Sequence, residues 1–265
     1  MVRLLVTGGA ILLLLTACGS VPSESRTGPQ DVRIVSSFWN RPAQAYTWKR
    51  VTDPTGIAPT SQVERFTLRD GHCRGWDCDN RRARVERHII TDLQDGDRLR
   101  YSYSVYFPSN EFNIVQGVST TVGQLYLAGN RGNDNGGNPI WDLNTVEGSR
   151  TWYMRMLTPI AGTSPIETRT VRRLNIGSIP FDRWVRIMVD ARLSTGSDGY
   201  IEAFVDGRSV GRSSGRNILP NAYVEYDYGI YQKLHGLLRA GGVREGIPMQ
   251  VVMYSNVSIS RPSEE

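Results

Sequence analysis

The stretch RLRYSYSVYF, residues 98–107, alternates between apolar and polar side chains along its whole length. Its apolar members all fall on one face of an extended chain: Leu99, Tyr101, Tyr103, Val105 and Phe107. Successive side chains of a β-strand point to opposite faces of a sheet, so this period of two predicts a strand with one buried face.

The same alternation recurs in residues 183–191, 199–211 and 248–260. In the second of these segments Asp206-Gly207 separates two apolar runs, which predicts a hairpin because both residue types tolerate positive φ. Helical periodicity is confined to residues 233–242, which predict one short turn. Short strands joined by Gly, Asn and Pro turns indicate an all-β protein, and we expect a β-jelly roll, a concanavalin-like sandwich of two sheets.

The N-terminus carries Arg3 and then an apolar run over residues 4–17. This run is too short to span a bilayer as a helix of the mature protein, so residues 1–17 are expected to be a secretion signal. The run ends in LTAC, residues 15–18, which resembles the lipobox of bacterial lipoproteins. The resemblance implies a lipid anchor on Cys18 and a place in the bacterial cell envelope, on the periplasmic or outer-membrane face. The alternative is an ordinary signal with a chance cysteine.

Residues 18–30 are polar and contain Pro, Ser and Gly, a composition typical of a flexible tether. Residues 31–265 are long enough for one sizeable core and show no repeat, linker or shift in composition. We therefore expect one domain over residues 31–265, and we expect it to be a monomer.

Cys73 and Cys78 stand close together in GHCRGWDCDN, residues 71–80. A secreted chain passes through an oxidising compartment, where such a pair is expected to form a disulfide. A zinc site is the alternative, but it lacks the second pair of cysteines or the histidines that a closed site needs.

The chain is basic, with a formal net charge of +5, and removal of the signal would take away a single arginine. A basic secreted protein attracts polyanions, and outside the cytoplasm these are chiefly acidic polysaccharides and anionic lipids. We expect an acidic polysaccharide partner and no nucleic acid.

Residues 128–142 are rich in Gly and Asn, which predicts a mobile loop between two strands. Calcium ligation by Asp134 is conceivable there, but the segment lacks the spaced carboxylates of a calcium loop. We expect no metal and no cofactor.

Three further segments place polar groups on one face of a predicted strand. With a period of two, the members of these faces are Arg84, Glu86 and His88; Gln124 and Tyr126, with Val122; and Asp227, Gly229, Tyr231 and Lys233. The opposite face of the third segment carries Tyr226, Tyr228 and Ile230.

These segments, RVE at 84–86, QLY at 124–126 and YDYGIY at 226–231, stand in the order of three motifs of the jelly-roll polysaccharide lyases. That group includes alginate lyases, glucuronan lyases and heparin-lyase-like domains. The resemblance runs from about residue 66 to residue 260. It implies a lyase that cleaves a uronic-acid-containing polysaccharide, such as a glucuronan, alginate or exopolysaccharide, by β-elimination.

In such a reaction the proton on C5 of the sugar leaves and the oxygen on C4 is expelled, while donors aimed at the carboxylate stabilise the enolate-like intermediate. The resemblance implies that Arg84 and Gln124 are these donors and that Tyr231 transfers the proton. Glu86 would orient Arg84. Where C5–H and C4–O lie on opposite sides of the sugar, Tyr126, His88 or His235 would supply a second group. His88, Lys233, Asp227 and Glu86 are expected to contact substrate.

Two positions depart from the motifs of the resembling lyases: Tyr126 stands where a histidine is expected, and Asp227 where a lysine is expected. These departures favour an alternative, a carbohydrate-binding lipoprotein that keeps the groove without turnover. A third hypothesis, a glycoside hydrolase of a related sandwich, needs two flanking carboxylates, and the Glu-x-Asp-x-x-Glu pattern of that family is absent.

Overall fold

A computed structural model of the protein describes residues 30–40, 47–69, 72–129, 137–243 and 246–262. Within these residues almost all regular structure is β-strand, arranged as two antiparallel sheets that pack into a sandwich. The predicted all-β jelly-roll architecture is confirmed.

One sheet, called the back sheet, contains eight strands in the described chain. They are β1 (Gln30–Asp31), β3 (Trp48–Thr52), β4 (Gln62–Leu68), β6 (Arg98–Tyr106), β11 (Val185–Arg192), β12 (Tyr200–Val205), β13 (Arg208–Ser214) and β15 (Gln250–Arg261). Seven of them follow the order β13-β12-β11-β6-β15-β4-β3, and the short β1 pairs with β15.

The other sheet, called the front sheet, has seven strands in the order β10-β9-β8-β7-β14-β5-β2. They are β2 (Ile34–Asn40), β5 (Arg82–Thr91), β7 (Ser119–Ala128), β8 (Asn138–Thr145), β9 (Thr151–Pro159), β10 (Thr168–Ser178) and β14 (Tyr223–Lys233). Two short helices, α1 (Trp76–Asp79) and α2 (His235–Arg239), adjoin the ends of β5 and β14.

The core between the sheets is unusually rich in tyrosine. Its large side chains are at most 1% exposed and include Phe66, Tyr101, Tyr103, Trp141, Tyr226, Tyr228 and Tyr254. The hydroxyl of Tyr254 lies 2.6 Å from the carbonyl oxygen of Val122 and 2.7 Å from that of Gly229. A residue of the back sheet thus hydrogen-bonds two strands of the front sheet, which fixes the spacing between the layers.

The sequence patterns that predicted strands correspond to strands in the structure. The apolar face of residues 98–107 is fully buried, as its alternation predicted. The hairpin between β12 and β13 turns at Asp206 and Gly207, whose φ angles are +48° and +79°. The only helix within residues 233–242 is the short α2, as expected.

One boundary prediction was wrong, because strand β8 already begins at Asn138 and contains Asp142. The predicted loop at 128–142 is therefore shorter, and its residues 130–136 lie outside the described chain. The signal at 1–17, Cys18 and the tether at 18–30 fall almost wholly in the undescribed N-terminal part. None of the helices in the described residues is long and apolar enough to cross a membrane.

Candidate active site

Three neighbouring strands of the front sheet bring the three polar segments together, because β14 lies between β5 and β7. Tyr231 on β14 pairs with Arg84 on β5. Asp227 pairs with His88 on one side and with Gln124 on the other. The three segments therefore form one patch.

A cleft of about 420 Å³ opens over this patch. Seven of the eight predicted site residues line it: Arg84, His88, Gln124, Tyr126, Asp227, Tyr231 and Lys233. The eighth, Glu86, lies beneath the cleft and is fully buried. Four further lining residues carry charge or an aromatic ring: Trp76, Arg82, Arg155 and Glu225. The sequence indicated Arg82 only as part of an arginine-rich segment, and it did not indicate the other three.

On β14 the two faces are as predicted. Asp227, Tyr231 and Lys233 line the cleft, whereas Tyr226 and Tyr228 pack in the core. The tyrosines at 226, 228 and 231 are therefore not equivalent, and of the four tyrosines on β14 only Tyr231 lines the cleft.

On β7 one face assignment was wrong. Val122 was expected beside Gln124, but it packs in the core. The pairing of β7 with β8 shifts register between Thr121 and Gly123, where β7 carries an additional residue. Such a β-bulge breaks the alternation of side chains, so a pattern counted through it places the next residue on the wrong face.

Arg84 is held above the ring of Tyr231, with its guanidinium carbon 4.1 Å from the ring centroid. Its Nη2 donates to Asp77 over 2.7 Å, its Nε lies 2.7 Å from the same carboxylate, and its Nη1 is 3.3 Å from Glu86. Burial alone would lower the pKa of Arg84, but the neighbouring acids raise it by more than burial lowers it. Arg84 therefore stays charged. Glu86 thus contacts Arg84, the residue that it was expected to orient.

Asp77 belongs to α1, inside the loop that the disulfide closes. Cys73 and Cys78 are bonded, as predicted. Asp77 is 3% exposed and sits between the two cysteines in sequence. The sequence offered one signal for this contact, an aspartate directly before Cys78, and it was not used.

Glu86 is surrounded by charged groups without access to solvent. Burial raises the pKa of Glu86 to about 7, while Arg84 and His88 act in the opposite direction. A carboxyl group with this pKa holds a proton for part of the time at neutral pH.

His88 lies among three carboxylates. Its Nδ1 is 3.1 Å from Asp227 and 3.7 Å from Glu225, and its Nε2 is 3.9 Å from Glu86. Although burial lowers the pKa of His88, these carboxylates raise it to about 10. His88 is therefore an imidazolium at neutral pH, which makes it a poor proton acceptor and argues against its use as the second base.

The same cluster has three side chains of the kinds that bind metals, one imidazole and two carboxylates. One ligand atom from each of His88, Glu225 and Asp227 lies within 4.8 Å of the others. The protonated imidazole explains this arrangement, because its positive charge offsets the carboxylates. A metal would have to displace that proton. We assign no metal to the cluster.

Gln124 directs its amide nitrogen at protein carboxylates, 3.0 Å from Asp227 and 3.4 Å from Glu86. Sequence reasoning had assigned this group to the substrate carboxylate. In the structure the N–H₂ group is already engaged, because the lysine expected at position 227 is an aspartate.

Tyr126 has its hydroxyl fully engaged by one backbone segment. The hydroxyl donates to the carbonyl of Gly137 and accepts from the N–H of Gly137, each over 2.7 Å. Burial also raises the pKa of Tyr126. The geometry therefore suits Tyr126 to positioning the start of β8 rather than to proton transfer.

Tyr231 is 6% exposed, and no group among the described residues hydrogen-bonds its hydroxyl. Burial raises the pKa of Tyr231 to about 12, although Arg84 and Arg82 lower it. The hydroxyl is thus protonated at rest, lies beneath two guanidinium groups and remains available to a ligand.

Beyond Tyr231, the cleft continues over β8 and β9. Lys233 donates to Asn144 over 3.3 Å, and Arg155 contacts Asp142 through two nitrogens. Asp142 and Asn144 on β8 and Arg155 on β9 alternate with apolar residues in the sequence. Strand alternation could therefore have predicted this polar face. His235, by contrast, is exposed at the start of α2 and does not line the cleft.

A sequence model described as polysaccharide lyase matches residues 31–258, which is most of the chain. The protein belongs to this polysaccharide lyase family. The membership supports a lyase that acts on polysaccharide. A search of curated protein sequences found no significant match.

Solved structures similar to this polysaccharide lyase share its fold at low sequence identity. An endo-β-1,4-glucuronan lyase from Trichoderma reesei has 15% identity and a TM-score of 0.60, over 88% of this chain and 94% of its own. An alginate lyase from a Chlorella virus has 12% identity and a TM-score of 0.51, over 86% and 100% of the two chains. An alginate lyase from Aplysia kurodai has 14% identity and a TM-score of 0.50, over 87% and 100%.

Proposed function

We propose that the protein cleaves a uronic-acid-containing polysaccharide, such as a glucuronan, alginate or exopolysaccharide, by β-elimination in this cleft. The observation that supports the proposal most strongly is Tyr231, a phenol without a protein hydrogen bond among the described residues, stacked beneath the guanidinium of Arg84. A proton-transfer group must be free to contact substrate, and its charged form must be stabilised.

The elimination breaks the C5–H and C4–O bonds of a uronate and forms a C4=C5 double bond. Tyr231 first loses its phenolic proton to solvent; the phenolate then takes the C5 proton and passes it to the departing C4 oxygen, which restores the phenolate. At rest Tyr231 is protonated, because burial raises its pKa to about 12. Arg84 and Arg82 stabilise the phenolate that must form before the C5 proton is taken.

A single proton-transfer group constrains the substrate. Tyr126 is bound to Gly137, and His88 is held as an imidazolium, so neither is a ready second base. One phenol can serve both bonds only when C5–H and C4–O lie on the same side of the ring. That is the stereochemistry of glucuronate and mannuronate, whereas their C5 epimers, iduronate and guluronate, have the two bonds on opposite sides.

The test is an absorbance assay with a set of polymers. The protein is incubated with polyglucuronate, polymannuronate, polyguluronate and heparin, and the ultraviolet absorbance of the new C4=C5 bond is followed. We expect absorbance to rise with polyglucuronate or polymannuronate and to rise least with polyguluronate. Faster cleavage of polyguluronate would contradict the single-phenol mechanism, and reducing ends without absorbance would indicate a hydrolase instead.

A second candidate function, a carbohydrate-binding protein without turnover, is favoured by one observation. Gln124 and Arg84 line the cleft, but their donor groups already contact protein carboxylates. Binding of one of these polymers without any absorbance change would support this alternative.

We further propose that the protein is a monomer held in the bacterial cell envelope by a lipid on Cys18, on the basis of LTAC at residues 15–18. Metabolic labelling with a fatty acid should label the full chain and a Ser20→Ala control but not Cys18→Ala. Labelling that persists in Cys18→Ala would contradict the lipid anchor, and a dimeric mass by light scattering would contradict the monomer.

A further inference from the structure

The cleft carries opposite charge at its two ends. Next to the imidazolium of His88 lie the carboxylates of Glu225 and Asp227, with the partly protonated Glu86 beneath them, so negative charge exceeds positive charge at that end. The charge of Arg84 is offset by its two contacts with Asp77. A negatively charged sugar carboxylate is repelled from this end of the cleft.

Beyond Tyr231 the sign reverses. Arg82, Lys233 and Arg155 line this end of the cleft, and the carboxylate that faces them is Asp142, which is fully buried beneath the cleft and engaged by Arg155. Cations therefore outnumber acids there.

The charge of Lys233 is the least balanced by neighbouring acids at this end of the cleft. Its ammonium is 3.3 Å from the amide oxygen of Asn144, and no carboxylate among the described residues lies within ion-pair distance of it. Burial lowers the pKa of Lys233. A partly buried ammonium without a counterion is costly, and an incoming carboxylate would remove that cost.

Lys233 is also beside the proposed proton-transfer group. Its Nζ lies 5.5 Å from the ring centroid of Tyr231, and the Arg82 guanidinium lies 5.7 Å from the same centroid. In a uronate the carboxylate is bonded to C5, the atom that loses its proton. A carboxylate held at Lys233 therefore brings the C5 proton close to Tyr231.

We propose that Lys233, assisted by Arg82, binds and neutralises the carboxylate of the cleaved uronate, in place of the Gln124–Arg84 pair. The inference rests on the proposed function and adds the place where the reacting sugar sits. The carboxylate of the reacting sugar lies toward β8 and β9. The acidic cluster around His88 lies at the opposite end of the cleft.

Three variants test the assignment with the polymer that the wild-type protein cleaves best. Lys233→Met keeps the length of the side chain and removes its charge, Lys233→Arg keeps the charge, and Gln124→Met removes the rival donor. We expect kcat/KM to fall about 100-fold or more in Lys233→Met, and less than about tenfold in Lys233→Arg and Gln124→Met. Activity of Lys233→Met within threefold of wild type, with a large loss in Gln124→Met, would overturn the inference.

A binding experiment tests the role of Lys233 without requiring that the protein cleave the ligand. Oligoglucuronate and the same oligosaccharide with its carboxyl groups reduced to alcohols are titrated calorimetrically into the Tyr231→Phe protein, with and without Lys233→Met. We expect preference for the charged ligand, and loss of about 10-fold or more of that preference in Lys233→Met. An unchanged preference would overturn the role of Lys233 even if the protein is a lyase. A lost preference would support it even if no polymer is cleaved.

Discussion

The carboxylate of Asp77 binds the guanidinium of Arg84 in a bidentate contact, with Oδ1 2.7 Å from Nη2 and Oδ2 2.7 Å from Nε. Arg84 is in turn stacked on Tyr231. The contact connects the disulfide loop, where Asp77 lies, to the phenol in the cleft. The loop therefore determines where the charge nearest to Tyr231 sits.

Asp77→Asn should release Arg84 and impair the site without unfolding the protein. The variant removes one charged partner of Arg84 while Glu86 still contacts it, so we expect a stability loss of about 1 to 3 kcal/mol, measured by urea denaturation. The proposed lyase activity should fall about tenfold because Arg84 is no longer fixed over the phenol. Asp79→Asn, an exposed acid of the same helix, is the matched control.

If Asp77 acts through Arg84, the double variant Asp77→Asn/Arg84→Gln should be no less active than Arg84→Gln alone. Losses of activity that simply multiply would show that Asp77 affects the site by another route.

Stability should depend on pH through His88. Burial lowers the pKa of His88, but its carboxylate neighbours raise it from 6.5 to about 10. The folded protein then binds this proton more tightly than the unfolded chain, so the contribution to stability is full below pH 6.5 and is lost as pH rises toward 10. The destabilisation caused by His88→Gln, measured by urea denaturation, should therefore shrink by about 1 kcal/mol or more over that range.

The control for His88 is His235→Gln, since His235 is exposed and outside the cleft. Its effect on stability should be small and nearly constant with pH. A constant effect of His88→Gln over the same range would mean that His88 is neutral in the folded protein.

Gly229→Ala should disturb the pairing of β14 with β5. At this position φ is +139°, and an added Cβ would lie 2.3 Å from the carbonyl oxygen of Val85, which belongs to the backbone and has little freedom to move. We expect a loss of about 2 to 4 kcal/mol in the free energy of unfolding, measured by urea denaturation. Gly207→Ala is the control, because Gly207 also has positive φ, +79°, but faces open space.

Gly207→Ala should cost only about 1 kcal/mol, the strain of the backbone conformation alone. Equal losses in the two variants would show that strand β14 moves to accept the methyl group.

Strand alternation predicted the main strands and the two faces of β14 from sequence alone, because side chains of an extended chain alternate with a fixed period of two. The bulge on β7 between Thr121 and Gly123 did not follow from it, since a bulge depends on how two strands pair and not on the pattern of one strand. That is why Val122 was placed on the wrong face.

The sequence named residues that share one cleft, but it did not give the contacts among them. The motifs identified Arg84, Gln124 and Tyr231, which share the cleft. They did not indicate that Asp77 contacts Arg84, or that Asp227 takes the amide of Gln124, because such partners are decided by which strands become neighbours. The hydroxyl of Tyr126 was likewise expected at the reaction centre and is bound to the backbone of Gly137.

Tyr231→Phe tests the central claim most directly, because it removes one hydroxyl from the cleft and leaves the ring beneath Arg84 in place. Tyr228→Phe is the matched control, since Tyr228 lies on the same strand with its hydroxyl directed at Glu64 on the other side of the sheet. The measurement is the initial rate of C4=C5 absorbance on the best polymer.

We expect that rate to fall by about 100-fold or more in Tyr231→Phe and to stay within about threefold of wild type in Tyr228→Phe, with both variants folded. A Tyr231→Phe protein that forms the double bond at the wild-type rate would contradict the assignment of proton transfer to this phenol.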